Sequence, residues 1–406
     1  MIKTNLIEPI NKILLKQAKA QNEKIAFSDF NSEINYFELD RKTLNLARNI
    51  LNLGLSKGDA VALILPNSVE WVVAFLGTLR AGLTIVPISF DSTTEEINYK
   101  LHDSNTKFVI TSTINEKIIE SLKSFPHLEK FTCFTDNSVG SNNLSLKNLC
   151  LVNKTNIEIN DDDINVPNQI IYTSGTTGKP KGVLLTTRSM LWVVASCWVP
   201  IVNLNNEDKV LSPLPLFHSY AINFSILGII ASGCSEFILE KFSPKIVLDL
   251  LSSRDFTVLP GVPTMFHYLL ETAKQNKIPN LGSITRCVSA GAIMPATLNN
   301  EYELYFNNLL LDGYGITETS TMVTMNWQSN RKIGSCGIPI PGMSVRIISP
   351  QNVEAGPDEE GELICYGPNL MVGYHNKEEE TKKVIKDKWY YTGDLAKRDN
   401  DGFITI

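Results

Sequence analysis

The sequence has few of the residues, cysteine and histidine, that form disulfides or bind structural metal ions in small proteins. Its seven cysteines are scattered along 406 residues without a CxxC pair, and it contains only five histidines. Disulfide frameworks and structural zinc sites depend on closely spaced residues of these types, so we expect neither. A reducing compartment fits this use of cysteine best.

Long hydrophobic runs are also missing. No stretch reaches 18 apolar residues, and the nearest candidates, 190–202 and 221–234, contain Ser or Asn. They predict buried helices of a large α/β core rather than membrane spans. Near the N-terminus, apolar residues recur at helical spacing between 6 and 15, which predicts an amphipathic helix instead of a signal peptide. We therefore expect a cytoplasmic protein without integral membrane association.

An excess of positive charge is absent as well. Lys and Arg number 37 against 43 Asp and Glu, which gives a net charge of −6. Such a balance does not favour bulk attraction to nucleic acid or anionic lipid. An apolar content of 43% with 20% charged residues excludes disorder and collagen-like repeats. The length predicts two or three structural units.

Strand and helix patterns alternate through most of the chain. Apolar runs at 61–66, 84–88 and 107–112 predict buried strands, and 70–80 predicts the helix after the first. This alternation predicts an α/β fold with largely parallel sheets. A second such stretch, 170–331, contains six predicted strands: 169–173, 210–213, 234–239, 257–259, 286–289 and 309–311.

Two stretches lack this alternation of strand and helix patterns. Between 136 and 168, Asn, Ser and Asp dominate and apolar periodicity fades, so this segment is either a domain linker or a surface loop. After Gly334, residues 343–349 and 362–365 alternate like strands, and a turn at 399–402 predicts a hairpin. This last stretch predicts a small β-barrel or twisted sheet.

The most informative segment is 172–183, YTSGTTGKPKGV. It holds three glycines, four Ser or Thr hydroxyls and two lysines directly after an apolar strand. Glycines let backbone N–H groups approach a polyanion, hydroxyls donate to phosphate oxygens, and lysines add charge. The segment is not a Walker A loop, because Thr173 and Pro180 stand where that motif needs Gly and Ser or Thr. A polar surface turn is the alternative.

Residues 172–183 resemble the signature of the adenylate-forming superfamily, which includes acyl- and aryl-CoA synthetases, peptide-synthetase adenylation domains and beetle luciferases. Further segments resemble the family's other motifs in the same order: PLFHSY at 215–220, SAGA at 289–292, DGYGITET at 312–319, GEL at 361–363 followed by GY at 373–374, and YTGDL at 391–395. The resemblance covers nearly the whole chain.

The resemblance implies the family's large N-terminal domain, with two α/β subdomains (1–165 and 166–335, the second with the phosphate loop) and a small distorted β-barrel (336–406). In the family, a hinge and a C-terminal lid carrying a catalytic lysine follow the ribose motif. This sequence ends shortly after that motif. We therefore expect the lid to be absent from this chain, and the chain by itself to be weakly active.

The resemblance also implies roles for individual residues. Thr317, Glu318 and His218 are the expected catalytic residues, and Glu318 is the expected Mg²⁺ ligand. The expected ATP and AMP site comprises Thr173, Ser174, Gly175, Thr176, Thr177, Gly178, Lys179, Lys181, Asp312, Gly313, Tyr314, Gly315, Thr317 and Asp394. The expected acid site comprises His218, Tyr220, Ser289, Ala290, Gly291, Gly315 and Met322.

Taken without the family, three of these residues have a plainer interpretation. Glu318 is compatible with a carboxylate that stabilises a helix N-terminus. Asp394 follows Gly393 and is compatible with a turn-forming Asp. His218 lies between apolar residues, as a core histidine does. The resemblance favours the functional role in each case.

The implied function is ATP-dependent activation of an apolar carboxylic acid, fatty or aryl, to acyl-AMP with release of pyrophosphate, followed by transfer to a thiol, CoA in the first instance. The segment 213–220 has no acidic residue that could bind a substrate ammonium, which argues against an amino acid. Residues 259–264, LPGVPT, resemble the fatty-acyl branch more than the aryl branch. The alternatives are a fatty acyl-AMP or acyl-carrier-protein ligase, and a lidless nucleotide- or acyl-binding protein without catalysis.

Overall fold

The computed structural model describes residues 1–112, 115–135, 144–152, 157–161, 163–173 and 178–406. The chain forms two compact units. The N-terminal unit comprises Glu8–Thr187 and Pro215–His218, and the C-terminal unit comprises Met1–Ile7, Arg188–Leu214 and Ser219–Ile406.

The N-terminal unit is an α/β structure. Its strands are β1 (Ile25–Ser28), β2 (Glu33–Asn35), β3 (Ala60–Ile64), β4 (Thr84–Pro87), β5 (Phe108–Thr111), β6 (Thr132–Phe134), β7 (Leu144–Ser145), β8 (Pro167–Thr173) and β9 (Lys181–Thr186). Its helices are α1 (Ile10–Ala20), α2 (Tyr36–Asn52), α3 (Val69–Arg80), α4 (Thr94–Asp103), α5 (Glu116–Lys123) and α6 (Leu146–Leu149), with a 3₁₀ helix at Pro126–Phe131.

The main sheet of this unit is largely parallel. Its strands follow the order β9-β8-β4-β3-β5-β6-β7, and only β9 runs antiparallel to its neighbour. Every residue of β3, β4 and β5 is buried. Strands covered on both faces lose the apolar–polar alternation of a half-exposed sheet, which is why these strands are continuous apolar runs in the sequence.

The C-terminal unit contains the remaining elements. Its strands are β10 (Lys209–Ser212), β11 (Ser235–Ile238), β12 (Val258–Gly261), β13 (Arg286–Ser289), β14 (Leu309–Tyr314), β15 (Thr324–Met325), β16 (Ile338–Pro339), β17 (Ser344–Ile348), β18 (Gly361–Tyr366), β19 (Gly373–Tyr374), β20 (Ile385–Lys386), β21 (Trp389–Arg398) and β22 (Ile404–Thr405). Its α-helices are α7 (Thr187–Val193, which begins at the unit boundary), α8 (Ser219–Ala221), α9 (Ile229–Ser232), α10 (Pro244–Ser253), α11 (Pro263–Gln275), α12 (Ala296–Phe306) and α13 (Glu378–Val384). Short 3₁₀ helices lie at Thr4–Leu6 and Thr317–Thr319.

Strands β11-β10-β12-β13-β14 run parallel, and β15 and β16 continue this sheet antiparallel. The register places Gly261, Ser289 and Asp312 side by side near the carboxyl ends of β12, β13 and β14. Ligands of open α/β sheets bind beyond the carboxyl ends of the strands. The SAGA and DGYGITET segments therefore begin at the edge of the sheet where a ligand is expected.

Strands β17-β18-β21-β20, with β22 paired to β21, form a separate antiparallel sheet. The predicted hairpin turn is present: Gly402 N donates to Asp399 O at 3.1 Å, and Lys397 pairs with Thr405 across the turn. The predicted α/β class with a small barrel-like β subdomain is confirmed, whereas the three predicted subdomain boundaries stay a prediction. The sequence grouped the phosphate loop with the later strands, but its flanking strands β8 and β9 belong to the N-terminal unit.

The two longest apolar stretches form helices with π-helical turns. These turns lie at Val194–Trp198, after α7, and at Ile222–Gly228, between α8 and α9. Asn223 is fully buried there, and its amide accepts from Trp198 Nε1 at 2.5 Å and donates to Met190 O at 2.8 Å. Within the described residues, none of the helices has both the length and the apolar character of a membrane span.

Candidate active site

The C-terminal unit contains a pocket of about 260 Å³ beside the carboxyl end of β14. Its lining includes Gly291 from the SAGA segment, Asp312, Tyr314 and Gly315 from the DGYGITET segment, and Asp394 from the YTGDL segment. Three motifs thus share one cavity, although Gly291 and Asp394 are 103 residues apart in sequence. Cys336, Thr405 and Ile406 also line it, and no sequence pattern indicated them.

Tyr314 and Asp394 form the polar edge of this pocket. The Tyr314 hydroxyl donates to Asp394 Oδ2 at 2.5 Å, and burial together with this carboxylate raises the pKa of Tyr314. Asp394 is positioned by its own backbone, since Asp394 N donates to Thr392 Oγ1 at 3.0 Å and that hydroxyl donates to Leu363 O at 2.7 Å. An aromatic face beside an oriented carboxylate fits adenine and the ribose diol.

Asp312 lies deeper in the same pocket and is only 5% exposed. Burial raises its pKa to about 8, and the backbone N–H of Gly313 offsets this only in part. A buried carboxyl with this pKa is largely protonated at neutral pH, so it can donate as well as accept a hydrogen bond. That property suits the polar edge of a nucleobase.

The two glycines of the DGYG segment are required by close backbone approach. A Cβ on Gly315 would lie 1.7 Å from Thr321 O, and a Cβ on Gly313 would lie 2.5 Å from Met322 Cε. Met322 is fully buried and packs beneath Gly313. Glycine at these positions lets the segment fold back on itself directly after β14.

Glu318 is presented by a short, strained turn. Thr317–Thr319 form a 3₁₀ helix in which Ile316 N donates to Thr319 Oγ1 at 3.2 Å. The next residues, Ser320 and Thr321, have φ of 50° and 103°. Positive φ in residues other than glycine costs energy and is concentrated at functional sites. The two strained residues thus follow the turn that contains Glu318.

Three residues from the segment before α13 hold this turn through four hydrogen bonds. The Tyr374 hydroxyl donates to Glu318 Oε1 at 2.9 Å, and Met371 N donates to Glu318 O at 2.8 Å. The fully buried Asn369 donates its amide protons to Thr319 O at 2.8 Å and to Met322 O at 2.7 Å. The sequence indicated Tyr374 only as part of a motif without a role, and it did not indicate Asn369.

The residues around Glu318 fit Mg²⁺. Across the described residues, no group of three or more His, Cys, Asp or Glu side chains is placed to hold a metal. Mg²⁺ in nucleotide sites is held by one or two carboxylates, substrate phosphates and water rather than by a protein cage. A single oriented carboxylate beside Thr317, whose Oγ1 lies 3.3 Å from Ser219 Oγ, matches that requirement.

The predicted acid-site residues of this unit divide into two groups. Gly291 and Gly315 line the pocket described above, whereas Ser289, Ala290 and Met322 are buried at 0–1% exposure. Tyr220 belongs to a buried aromatic cluster, with ring centroids 5.9 Å from Trp198 and 6.1 Å from Phe224, and its hydroxyl donates to Val288 O at 3.1 Å. The ring of Tyr220 is therefore packed among other aromatic rings, and its hydroxyl is bonded to the backbone.

The phosphate-loop residues belong to the N-terminal unit. Thr173 ends β8 and Lys181 begins β9, and the two are paired across the antiparallel ladder. Gly178 has φ of 122°, where a side chain would be strained. Ser174, Gly175, Thr176 and Thr177 lie outside the described residues. The two strands thus bring Thr173 and Lys181 together at the base of the loop, with Lys179 between Gly178 and Pro180.

His218 lies at the end of the 215–218 segment in the same unit. Its backbone N–H donates to Pro215 O at 3.1 Å, and its ring centroid lies 4.2 Å from that of Phe217, with the two rings tilted by 40°. Burial lowers the pKa of His218, and the positive charge of Lys100 lowers it further. The imidazole is therefore neutral at neutral pH.

The profile of the AMP-binding enzyme family matches residues 14–375. The chain belongs to this family. Among curated proteins, it is 31% identical to the long-chain-fatty-acid–CoA ligase of Bacillus subtilis (strain 168), over 98% of this chain and 76% of that protein. It is 27% identical to the feruloyl-CoA synthase of an Amycolatopsis species, over 97% of this chain and 77% of that protein.

Solved structures agree on the fold. The crystal structure of the anthranilate CoA ligase AuaEII in complex with anthranoyl-AMP matches with a TM-score of 0.92 at 22% identity, over 98% of this chain and 77% of that one. Family, relatives and fold confirm the predicted adenylate-forming, acid–thiol ligase class, which uses ATP, Mg²⁺ and CoA. The individual site residues stay predictions.

Proposed function

We propose that this chain activates an apolar carboxylic acid, fatty or aryl, as its acyl-adenylate and passes the acyl group to CoA. The ligase class follows from the family, and the apolar acid is the further step. Support for it comes from the fatty-acid and feruloyl relatives, from the aromatic surroundings of Tyr220, and from the absence of an acidic residue in 213–220. An unpaired buried charge on the substrate tail would be costly in such surroundings.

The observation that carries the proposal is the pocket that Tyr314 and Asp394 share at the carboxyl end of β14. We assign Tyr314 to the adenine face, Asp312 and Gly313 to the adenine edge, and Asp394 to the ribose hydroxyls. A carboxylate can accept hydrogen bonds from both hydroxyls of a cis-diol, as in dinucleotide-binding folds. Gly315 lets the backbone pass close beneath the nucleotide.

The reaction also requires that the negative charge on the phosphate oxygens of ATP be neutralised. The substrate carboxylate attacks the α-phosphorus of ATP, the bond to the β-phosphate oxygen breaks, and pyrophosphate leaves. We assign Glu318 to the metal and Thr317 to the α-phosphate; bound Mg²⁺ would neutralise developing charge on the phosphate oxygens. We assign 173–181 to the β- and γ-phosphates, since Lys179 and Lys181 carry the positive charge there.

The acid site is the least constrained assignment. His218, Tyr220, Ser289, Ala290, Gly291 and Met322 are proposed for it from the family motifs in which they lie. A neutral His218 supports this, because a neutral imidazole is compatible with an apolar acyl chain. In the second half of the reaction, the CoA sulfur attacks the acyl carbon and AMP leaves with the bonding electrons.

A panel of carboxylic acids tests the proposal. The purified chain is incubated with ATP, Mg²⁺ and each acid, and acyl-AMP and pyrophosphate are measured in single turnover, with CoA added in a second series. Fatty and aryl acids should give acyl-AMP, and amino acids and dicarboxylic acids should not. Preferential activation of an amino acid would contradict the assignment of an apolar acid.

The variant Glu318→Gln tests the metal assignment in the same assay, and Glu378→Gln is its matched control. The amide keeps the size of the side chain and can still accept from Tyr374, but it loses the charge that holds a hard cation. Acyl-AMP formation should fall by about 10²–10³-fold. Glu378→Gln, on an exposed helix, should leave it unchanged. An active Glu318→Gln protein would contradict the metal assignment.

We also propose that the protein acts in the cytoplasm. All seven cysteines are free, which is compatible with a reducing compartment. Fractionation of the cells that produce the protein, followed by immunodetection, tests this. Recovery with the membrane or secreted fraction would contradict it.

A further inference from the structure

Helix α4 contacts both ends of the phosphate loop. The loop joins β8 to β9, so Tyr172 lies just before it and Pro180 just after it. Tyr99 and Asp103 are four residues apart on α4 and therefore lie on the same face of this helix. No motif of the family drew attention to either residue.

Tyr99 contacts the far end of the loop in two ways. Its hydroxyl donates to Pro180 O at 2.9 Å. The Lys179 ammonium lies over its ring, 5.8 Å from the centroid, within the range of a cation–π interaction. Burial and the charge of Asp103 raise the pKa of Tyr99, so the hydroxyl keeps the proton that it donates.

Asp103 contacts the near end. The Tyr172 hydroxyl donates to Asp103 Oδ2 at 2.7 Å, and the Tyr99 and Tyr172 rings meet edge to face with centroids 6.1 Å apart. The helix itself is well anchored. Its N-terminus has a capping box formed by Thr93 and Glu96, and its inner face buries Ile97 and Leu101.

We infer that Tyr99 is a positioning residue for ATP: with Asp103 it fixes Tyr172 and Pro180, which flank the phosphate loop, to α4, and it holds the Lys179 ammonium near this helix for the β- and γ-phosphates. This rests on the proposed function, in which the loop binds those phosphates. Pro180 has no N–H of its own, so its carbonyl is the backbone group through which a neighbour can hold this position. Lys179 is exposed to solvent, and its ammonium lies over the ring of Tyr99.

The experiment compares binding of ATP and AMP to the purified chain by calorimetry. AMP lacks the β- and γ-phosphates, so it reports the adenine and ribose site alone. Tyr99→Phe keeps the ring and removes the hydrogen bond to Pro180 O; its affinity for ATP should fall about 2–10-fold, the range for one hydrogen bond. Its affinity for AMP should stay at the wild-type value. Tyr99→Leu also removes the ring, so ATP affinity should fall further.

Three controls separate positioning from general damage. His102→Gln, an exposed substitution on the same helix, should bind both nucleotides like the wild type. Tyr314→Phe should weaken ATP and AMP together. Lys179→Gln combined with Tyr99→Leu should lose less ATP affinity than the sum of the two single losses, because both remove the same cation–π contact.

The outcomes are distinct. An unchanged ATP affinity in Tyr99→Phe and Tyr99→Leu, or a parallel loss of ATP and AMP, overturns the inference while leaving the proposed function intact. If the wild-type chain binds neither nucleotide, the proposed function fails and the inference fails with it. Should Tyr99→Leu not fold, Tyr99→Phe alone decides the question.

Discussion

The Tyr374 hydroxyl donates a 2.9 Å hydrogen bond to Oε1 of Glu318, although 56 residues separate the two in sequence. The same segment supplies Met371 N to Glu318 O and the Asn369 amide to Thr319 O and Met322 O. Residues 369–374 thus hold both the Glu318 carboxylate and the turn that contains it. Loss of a group that orients a metal ligand typically lowers metal affinity or activity about 10–100-fold.

Tyr374→Phe should therefore weaken Mg²⁺ binding. The variant loses the bond that orients Glu318 and keeps the ring, so apparent Mg²⁺ affinity in the presence of ATP should fall about 10–100-fold. Mg²⁺ titration followed by calorimetry measures this. Tyr366→Phe, on the exposed face of β18, serves as the control. Equal Mg²⁺ affinities for Tyr374→Phe and wild type would show that the hydroxyl does not position Glu318.

Tyr314→Phe and Asp394→Asn should act on the nucleoside part of the ligand. Because both residues belong to the adenine–ribose pocket, ATP and AMP should weaken by the same factor, about tenfold for loss of a charged hydrogen bond. The double variant should lose less than the two single losses combined, because both remove the same Tyr314–Asp394 bond. Strictly additive losses, or an effect on ATP alone, would contradict this arrangement.

Gly315→Ala should destabilise the fold far more than Gly291→Ala. A Cβ at 315 would overlap Thr321 O at 1.7 Å, whereas a Cβ at 291 would meet only Val262 Cγ1 at 3.6 Å. Gly291 has φ of 85°, so Ala there pays backbone strain of about 1–2 kcal/mol. Gly315→Ala should cost at least about 3 kcal/mol, since backbone must move. Urea unfolding compares them, and similar losses would contradict the overlap at Gly315.

Local patterns in the sequence predicted most of the strands. The strand predicted at 286–289 is Arg286–Ser289 in the structure, and all four of its residues are buried. Strand β14 instead continues from the predicted 309–311 to Tyr314. Its last residues pair with the two-residue strand β15, which is too short to have a pattern of its own. The π-helical turns of 194–198 and 222–228 were also missed, because a period of 3.6 does not reveal a single wider turn.

The sequence predicted those residues of the candidate site that lie within recognisable motifs, and it did not predict the residues that contact them from elsewhere in the fold. Tyr314, Glu318 and Asp394 were indicated by segments that resemble a family, and the structure brings Tyr314 and Asp394 into contact. Tyr374 on Glu318 and Tyr99 on Pro180 are contacts between distant elements, and no local spacing encodes them. The sequence could indicate which residues bear the chemistry, whereas the residues that hold them in place required the fold.

Asp312 should make the stability of the protein depend on pH. Its pKa in the folded state is about 8, against an ordinary value of 3.8, mainly because it is buried. Between these two pH values the folded protein keeps a proton that the unfolded chain has released. The contribution of Asp312 to the free energy of unfolding should therefore be fully present below about pH 4 and should be lost as the pH rises towards 8.

Asp312→Asn removes this dependence, because the amide is neutral throughout. As the pH rises from 5 to 8, the wild type should lose stability relative to the variant by up to about 1.4 kcal/mol per pH unit. Urea unfolding at pH 5, 6.5 and 8 measures it. Asp399→Asn is the control: the hydrogen bond from Lys332 lowers the pKa of Asp399, so its titration lies below this window and its loss should leave the slope between pH 5 and 8 unchanged. If wild type and Asp312→Asn show the same slope, Asp312 is ionised in the folded protein at neutral pH, and its role at the adenine edge is that of an acceptor only.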